Sequence, residues 1–287
     1  MTADALPLRT RQPWKRPRGR RLVAHAVLLL VVATTLGPLV WMGGISLEAP
    51  RAVFTNVLNP LPEEPTLANY GTVLETTNVG RQLVNSLVFA AGVTVGQIAI
   101  AVPAAYAFAR WRFPAADTLF AAMLLTLPIP FVVFYVPNYI LLSRFDLLNT
   151  FAGLIVPQIA SAYGIFLLRQ HFRAFPQEIV DAARIDGAGE GQILWQIVLP
   201  ATRGAIAALA IYVGIATWNE YVWPLLVAPR PEMHILTVGV ANYANAEGGI
   251  LWGAIMAAAV LATAAPLAVY LVTQKEVLAV LMEGAVK

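Results

Sequence analysis

The chain has 287 residues, 59% of them hydrophobic and only 12% charged, with a net charge of +3 and a mean hydropathy of +0.68. Soluble chains carry about 25% charged residues; half that share cannot face water on every side, which excludes an ordinary soluble domain. Cysteine is absent, which excludes disulfides, thiolate metal sites and a cysteine nucleophile, and the scattered His25, His171 and His234 suggest no metal site.

Residues 1–21 form a basic tail: Arg9, Arg11, Lys15, Arg16, Arg18, Arg20 and Arg21 stand against one acid, Asp4. Such a run can bind nucleic acid. Flush against an apolar segment it reads instead as a cytoplasmic topology signal, and no nucleic-acid partner is expected. The apolar stretch that follows, residues 22–45, exceeds the roughly 7–15 residues of a signal-peptide core and ends without a small-x-small cleavage site. It is therefore a retained membrane span. The loop over about residues 48–82 carries Pro50, Pro60, Pro62, Pro65, Glu63 and Glu64, then the amphipathic run Leu67-Ala-Asn-Tyr70. It is long enough to fold over the outer membrane surface and meet something there.

Five further stretches are long enough to cross about 30 Å of hydrocarbon at 1.5 Å per residue: residues 83–108, 117–142, 151–168, 205–227 and 250–272. The stretch 117–142 contains Pro128, Pro130 and Pro137, so a kink is expected there. Six spans beginning inside place both termini in the cytoplasm. On that topology fifteen of the nineteen basic residues lie inside and four outside, as the positive-inside rule requires. The predicted fold class is an all-α polytopic membrane protein of six transmembrane helices. It divides into the tail 1–21, the first helix and outer loop 22–82, a membrane core 83–273 and a cytoplasmic tail 274–287.

The inner segment 175–200 is the most informative. Pro176 suits a first helical position, and Gln177, Glu178 and Asp181 suit the positive end of a helix dipole. Ile179, Ala182 and Ala183 fall at i, i+3 and i+4 and form a narrow stripe of small apolar residues. Asp186-Gly187 is a stop signal, with Gly187 able to take a left-handed conformation. A second short helix follows, with Ile193, Ile197 and Val198 at helical spacing, closed by Pro200. Helix, sharp turn and helix, with alanines that let a partner's backbone approach, make a docking knob or an amphipathic loop lying on the membrane.

The order of these residues resembles the Glu-Ala-Ala loop of ABC importer permeases, in which Glu-Ala-Ala is followed by three residues, Gly, nine residues and Ile-x-Leu-Pro. Ala182, Ala183, Gly187, Ile197, Leu199 and Pro200 match at that spacing, and Asp186 and Ala188 complete an Asp-Gly-Ala form. Asp181 departs from the pattern, keeping the charge of glutamate with a shorter reach. Asn69-Tyr70, Asn85-Ser86, the run Tyr106 to Pro114, the run Trp218 to Pro224 and the terminal Gly284-Ala-Val-Lys287 extend the resemblance over nearly the whole chain. It points to the second permease of carbohydrate-type importers, the subfamily of the maltose and glycerol-3-phosphate systems, with a MetI-like permease fold. The resemblance implies a loop that inserts into an ATPase cleft and transmits its closure. It also implies a homologous permease, two ATPase subunits that bind ATP and Mg, an extracytoplasmic solute-binding protein, and no cofactor in this chain. It implies a solute that is a sugar or a related small polar molecule, with glycerol-3-phosphate or a glycerophosphodiester as the alternative.

Polar groups inside spans face a cavity or a partner helix. The candidates for a solute path are Asn85, Gln97, Gln158, Ser161, Tyr163, Trp218, Asn219, Glu220 and Tyr221. Trp218, Tyr221 and Trp223 read equally as an interfacial aromatic belt, and Asn219 as a packing bond. The absence of a basic residue inside the expected spans favours a neutral solute over a phosphorylated one. Only three lysines occur and none stands in a phosphate-cradling loop, so ATP hydrolysis must come from a partner. An ion-coupled carrier is the rival from another class; internal repeats would support it, and none is visible.

Overall fold

The computed structural model describes residues 18–49, 61–76, 78–243 and 251–285, with side chains described except those of residues 18–21, 273 and 275–285. Most of the basic tail, Pro50, Pro60 and Lys287 lie outside the described residues. Thirteen helices appear among them, besides a single 3-10 turn at Pro231–Met233. In chain order these are α1 (Arg18–Leu47), α2 (Ala68–Thr76), α3 (Val79–Arg110), α4 (Ala116–Leu124), α5 (Phe131–Arg144), α6 (Phe151–Gln158) and α7 (Ala162–Ala174), then α8 (Gln177–Ile185), α9 (Glu190–Ala201), α10 (Arg203–Trp218), α11 (Val222–Val227), α12 (Leu236–Asn242) and α13 (Trp252–Ala285). No strand occurs among the described residues.

Three helices are long and apolar enough to cross a membrane: Leu22–Leu47 within α1, α3, and Trp252–Val272 within α13. Two bent pairs, α6 with α7 at 50° and α9 with α10 at 76°, bring the number to five if each is one span. The expected span over 117–142 is instead two short helices, α4 and α5, joined by turns over residues 125–130. Pro128 and Pro130 explain the break, because each removes a backbone donor and pushes the residue before it out of the helical region. Pro137 interrupts nothing, since it lies in the first α-helical turn of α5, where a backbone N–H has no helical partner to lose. The stretch 205–227 is likewise divided, at Asn219–Tyr221, and α13 runs on to Ala285 through most of the expected tail.

At the centre lies α3, packed on both α7 and α10. Phe89, Val93, Ala101, Val102 and Ala105 of α3 meet Leu154, Leu168, Phe172, Leu209 and Val213 in one buried cluster. Two glycines a turn apart permit the approach of the α6–α7 junction. A Cβ on Gly92 would stand 2.5 Å from Ile155 Cδ1, and one on Gly96 2.5 Å from Ile159 Cγ2. Close backbone contact of this kind stabilises helix pairs where lipid removes the hydrophobic contrast. The short helix α2 is stitched to the end of α1. The Asn69 amide donates to the carbonyls of Ser46 (3.1 Å) and Glu48 (2.7 Å), and Glu48 accepts the backbone N–H groups of Glu63 and Glu64. That fixes Glu63, Glu64 and Asn69 against the end of α1.

Candidate functional site

The inner segment folds as helix, turn and helix, with a phase that differs in part from the expected stripe. Pro176 (φ −58°) caps α8 from outside rather than opening it. Val180 and Ala183 face inward and are buried, while Ile179, Ala182 and Ile185 face outward, Ile185 being 86% exposed. Ala183 thus belongs to the packing surface and Ala182 to the free one. The turn is a Schellman motif: Ala188 N–H donates to the Ala183 carbonyl (2.9 Å) and Gly187 N–H to that of Arg184 (3.0 Å). It requires a left-handed residue, and Gly187 supplies φ +87°. Glu178, Asp181, Asp186 and Gly187 are exposed.

In α9 the middle, Ile193–Val198, is a π-helical segment that buries Ile193, Leu194 and Val198 while leaving Trp195 61% exposed. Ile197 and Leu199 are half-buried and Pro200 is exposed. Pro200 does not close the helix. The break falls two residues later, at Thr202, where the chain turns 76° into α10.

Two hubs hold this unit to the inner end of α3. Arg110 donates to the carbonyls of Phe172 and Phe175 and to the Gln177 side chain. Glu190 accepts from Arg184 Nε (2.8 Å), Tyr106 Oη (2.7 Å) and Trp111 Nε1 (3.3 Å). Arg184 also pairs with Asp181 at 3.1 Å. The Arg184 guanidinium, helped by the Tyr106 and Trp111 donors, holds the Glu190 carboxyl below its ordinary 4.5 against the opposing effect of burial. A lowered carboxyl stabilises the fold above its ordinary value and loses that contribution as pH falls through the folded value. Amide-exchange protection of residues 177–198 is therefore expected to stay flat from about pH 8 to about pH 5 and to fall only in stronger acid. None of Glu190, Arg184, Tyr106 and Arg110 was among the expected site residues. The signal available was a tyrosine and an arginine ending a long apolar helix, with an acid just after a glycine turn.

The solute-path candidates divide. Asn85 is buried and committed, its amide donating to the carbonyls of Glu232 and His234, both at 2.9 Å. Trp218 is buried as well, with its indole N–H on the Ala262 carbonyl (3.2 Å). Gln97 donates to the Gln158 carbonyl (2.8 Å), and Ser161 caps α7 by accepting from Gly164 N–H (3.3 Å). Glu220, at the break after α10, accepts from Tyr135 Oη (2.8 Å). Tyr163 and Tyr221 remain 38% exposed; Asn219 is exposed too, and its amide donates back to the Ile215 carbonyl. Tyr163 packs on Tyr212 of α10 with ring centroids 4.8 Å apart, and Asn219 caps the end of that helix. Tyr163, Tyr212, Asn219 and Tyr221 are thus accessible aromatic and polar side chains. A separate cavity of about 430 Å³, between Leu87, Ala91 and Val95 of α3, Ala210 and Ile215 of α10 and Pro266 of α13, contains only Trp218 of the candidates and is apolar. The helix continuing the fourth expected span also takes in a basic residue, Arg169. Its guanidinium lies 3.8 Å from the centre of the Phe120 ring and donates to the Phe108 carbonyl, so it is engaged within the fold. Among the described residues no three histidines or acids gather where a metal could bind.

Residues 97–276, which contain the helix–turn–helix unit, α7, α10 and the later part of α3, match the family described as binding-protein-dependent transport system inner membrane component. The chain belongs to this family. It is an ABC importer permease, a non-catalytic subunit of the inner membrane. Over 266 residues it is 33% identical to the sn-glycerol-3-phosphate transport system permease protein UgpE of Pectobacterium atrosepticum, covering 90% of this chain and 94% of the relative. Against UgpE of Yersinia pestis the identity is 34% over the same shares. Its fold matches a chain in the crystal structure of a bacterial ABC transporter involved in the import of the acidic polysaccharide alginate. That match has a TM-score of 0.78 at 22% identity and covers 93% of this chain and 99% of that one.

Proposed function

We propose that this permease carries glycerol-3-phosphate or a closely related glycerol phosphate, in an assembly with a homologous permease, two ATPase subunits and an extracytoplasmic binding protein. The observation that carries the solute is identity of 33–34% to permeases named for sn-glycerol-3-phosphate transport, sustained over 90% of the chain. It favours this solute over the sugar that the residues of this chain first suggested. A phosphorylated solute needs a paired counter-charge, and on this reading the partner permease or the binding protein supplies it. ATP and Mg belong to the ATPase partners. On this reading the chain crosses the membrane six times, with α4 and α5 together as a broken third crossing and both termini in the cytoplasm.

A thermal-shift screen of the cognate binding protein tests the solute. Stabilisation by glycerol-3-phosphate or a glycerophosphodiester, with none by sugars, is expected; the reverse pattern refutes the assignment.

The outward ridge Ile179, Ala182 and Ile185, with Gly187 at its end, is the surface offered to the ATPase. Asp181 borders it, half-exposed and tied to Arg184. Asp181→Ala is expected to weaken ATPase association by about tenfold, consistent with loss of a charged hydrogen bond of about 1.5 kcal/mol. Asp181→Glu should bind as the parent does, and titration of purified ATPase onto the permeases in detergent reads both.

A further inference from the structure

The ATPase stroke has two routes from the docking ridge into the membrane. The covalent one runs along α9, through the π-helical segment Ile193–Val198, and around the 76° elbow at Thr202 into α10. Both features are compliant: a π segment departs from the regular i→i−4 ladder, and an elbow turns a push along one axis into bending. The other route is through hydrogen bonds. Glu190 is the first residue of α9 and receives Tyr106 from α3 and Trp111 from just beyond its end, while its second oxygen takes Arg184 of α8. It joins both arms of the docking unit to one helix, and that helix packs on α7 and α10 together.

We infer that Glu190 is a positioning residue through which closure of the ATPases moves α3, so that the inner end of α3 and the docking unit travel as one body. The inference rests on the proposed docking of α8. Arg110 secures the start of the unit to the same helix through Phe172, Phe175 and Gln177; Glu190 makes the hydrogen bonds from the return arm to α3, beside the apolar packing of Ile193, Leu194 and Val198. Without Glu190 the return arm is joined to the core only through the π segment and the elbow, and ATP would be hydrolysed with less work delivered to the membrane helices.

The experiment uses the whole importer in lipid vesicles. Because the chain contains no cysteine, spin labels can be placed at Arg112→Cys beyond α3 and Gly191→Cys on α9. Both positions are exposed, and Gly191 opens onto free space. With Glu190 present, the distance between the labels should be the same with and without ATP. With Glu190→Ala it should change or broaden on ATP binding, and uptake per ATP hydrolysed should fall about tenfold, the size of a coupling free energy built on a charge-assisted bond. Glu190→Gln and Tyr106→Phe, which retain part of the bonding and the ring contacts of Tyr106 with Trp111 and Phe172, should fall between. An unchanged distance and an unchanged uptake ratio in Glu190→Ala would overturn the inference. Loss of ATPase from the purified Glu190→Ala complex would overturn it too, making Glu190 a docking residue. If the parent permease itself retains no ATPase, the docking reading fails first.

Discussion

Gly187→Trp should abolish both solute-stimulated ATP hydrolysis and uptake while leaving the permease folded in the membrane. Two independent effects produce this. At φ +87° any L side chain meets its own backbone, at a cost of about 1–2 kcal/mol. The second effect is external, because a Cβ built on Gly187 meets nothing within 4 Å inside this chain. On the proposed docking, an indole at this exposed turn would fill the space into which the ATPase surface closes. A graded series separates the two. Gly187→Asn suits the left-handed region with modest bulk and should retain most activity. Gly187→Ala has the strain with almost no bulk and should lose some of it, and Gly187→Trp should lose all. Solute-stimulated hydrolysis by the reconstituted importer, with ATPase co-purification as the assembly check, measures the series. Normal transport by Gly187→Trp would remove α8 from the docking role.

What could be read from the sequence depended on the range of the interaction. Gly187 was legible because a left-handed turn is decided by the residue that occupies it, and the apolar stretches because crossing hydrocarbon is a matter of composition and length. The breaks were less so. Hydropathy over 205–227 is blind to backbone direction, so the interruption at Asn219–Tyr221 left no trace in it. Ala183 was placed on the free face because i, i+3, i+4 spacing defines a stripe without saying which side of the helix the core takes; Val180, one residue outside the stripe, decides the matter by its burial. Glu190 and Tyr106 lie 84 residues apart, and their meeting is set by how α3 packs, which no local pattern encodes. Asn85 was misleading in the opposite sense. A polar side chain in a span points to a pathway only when its partners are unknown, and here the carbonyls of Glu232 and His234 account for its amide.

Trp223 leads to the second large effect. Its position in an aromatic cluster near the outer surface suited an interfacial belt, yet it is fully buried. Its ring meets those of Phe131 and Tyr135 at centroid distances of 5.7 and 5.6 Å, and its indole N–H donates to the Leu154 carbonyl at 3.1 Å. It therefore joins α11 to both α5 and α6, three short helices without the length to hold themselves in a bilayer. Tyr135, in turn, donates to Glu220 at the end of α10. Removing the indole leaves a cavity where these elements meet, and Trp→Ala changes of this kind cost about 3–5 kcal/mol. Trp223→Ala is accordingly expected to lower the thermal midpoint of the detergent-solubilised permease strongly and to reduce the amount recovered folded from the membrane. Trp223→Phe preserves most of the ring contact and forfeits the bond to Leu154, about 1 kcal/mol, so it should unfold between the two. A Trp223→Ala protein as stable as the parent would mean that α5, α6 and α11 are held in place by contacts other than this side chain.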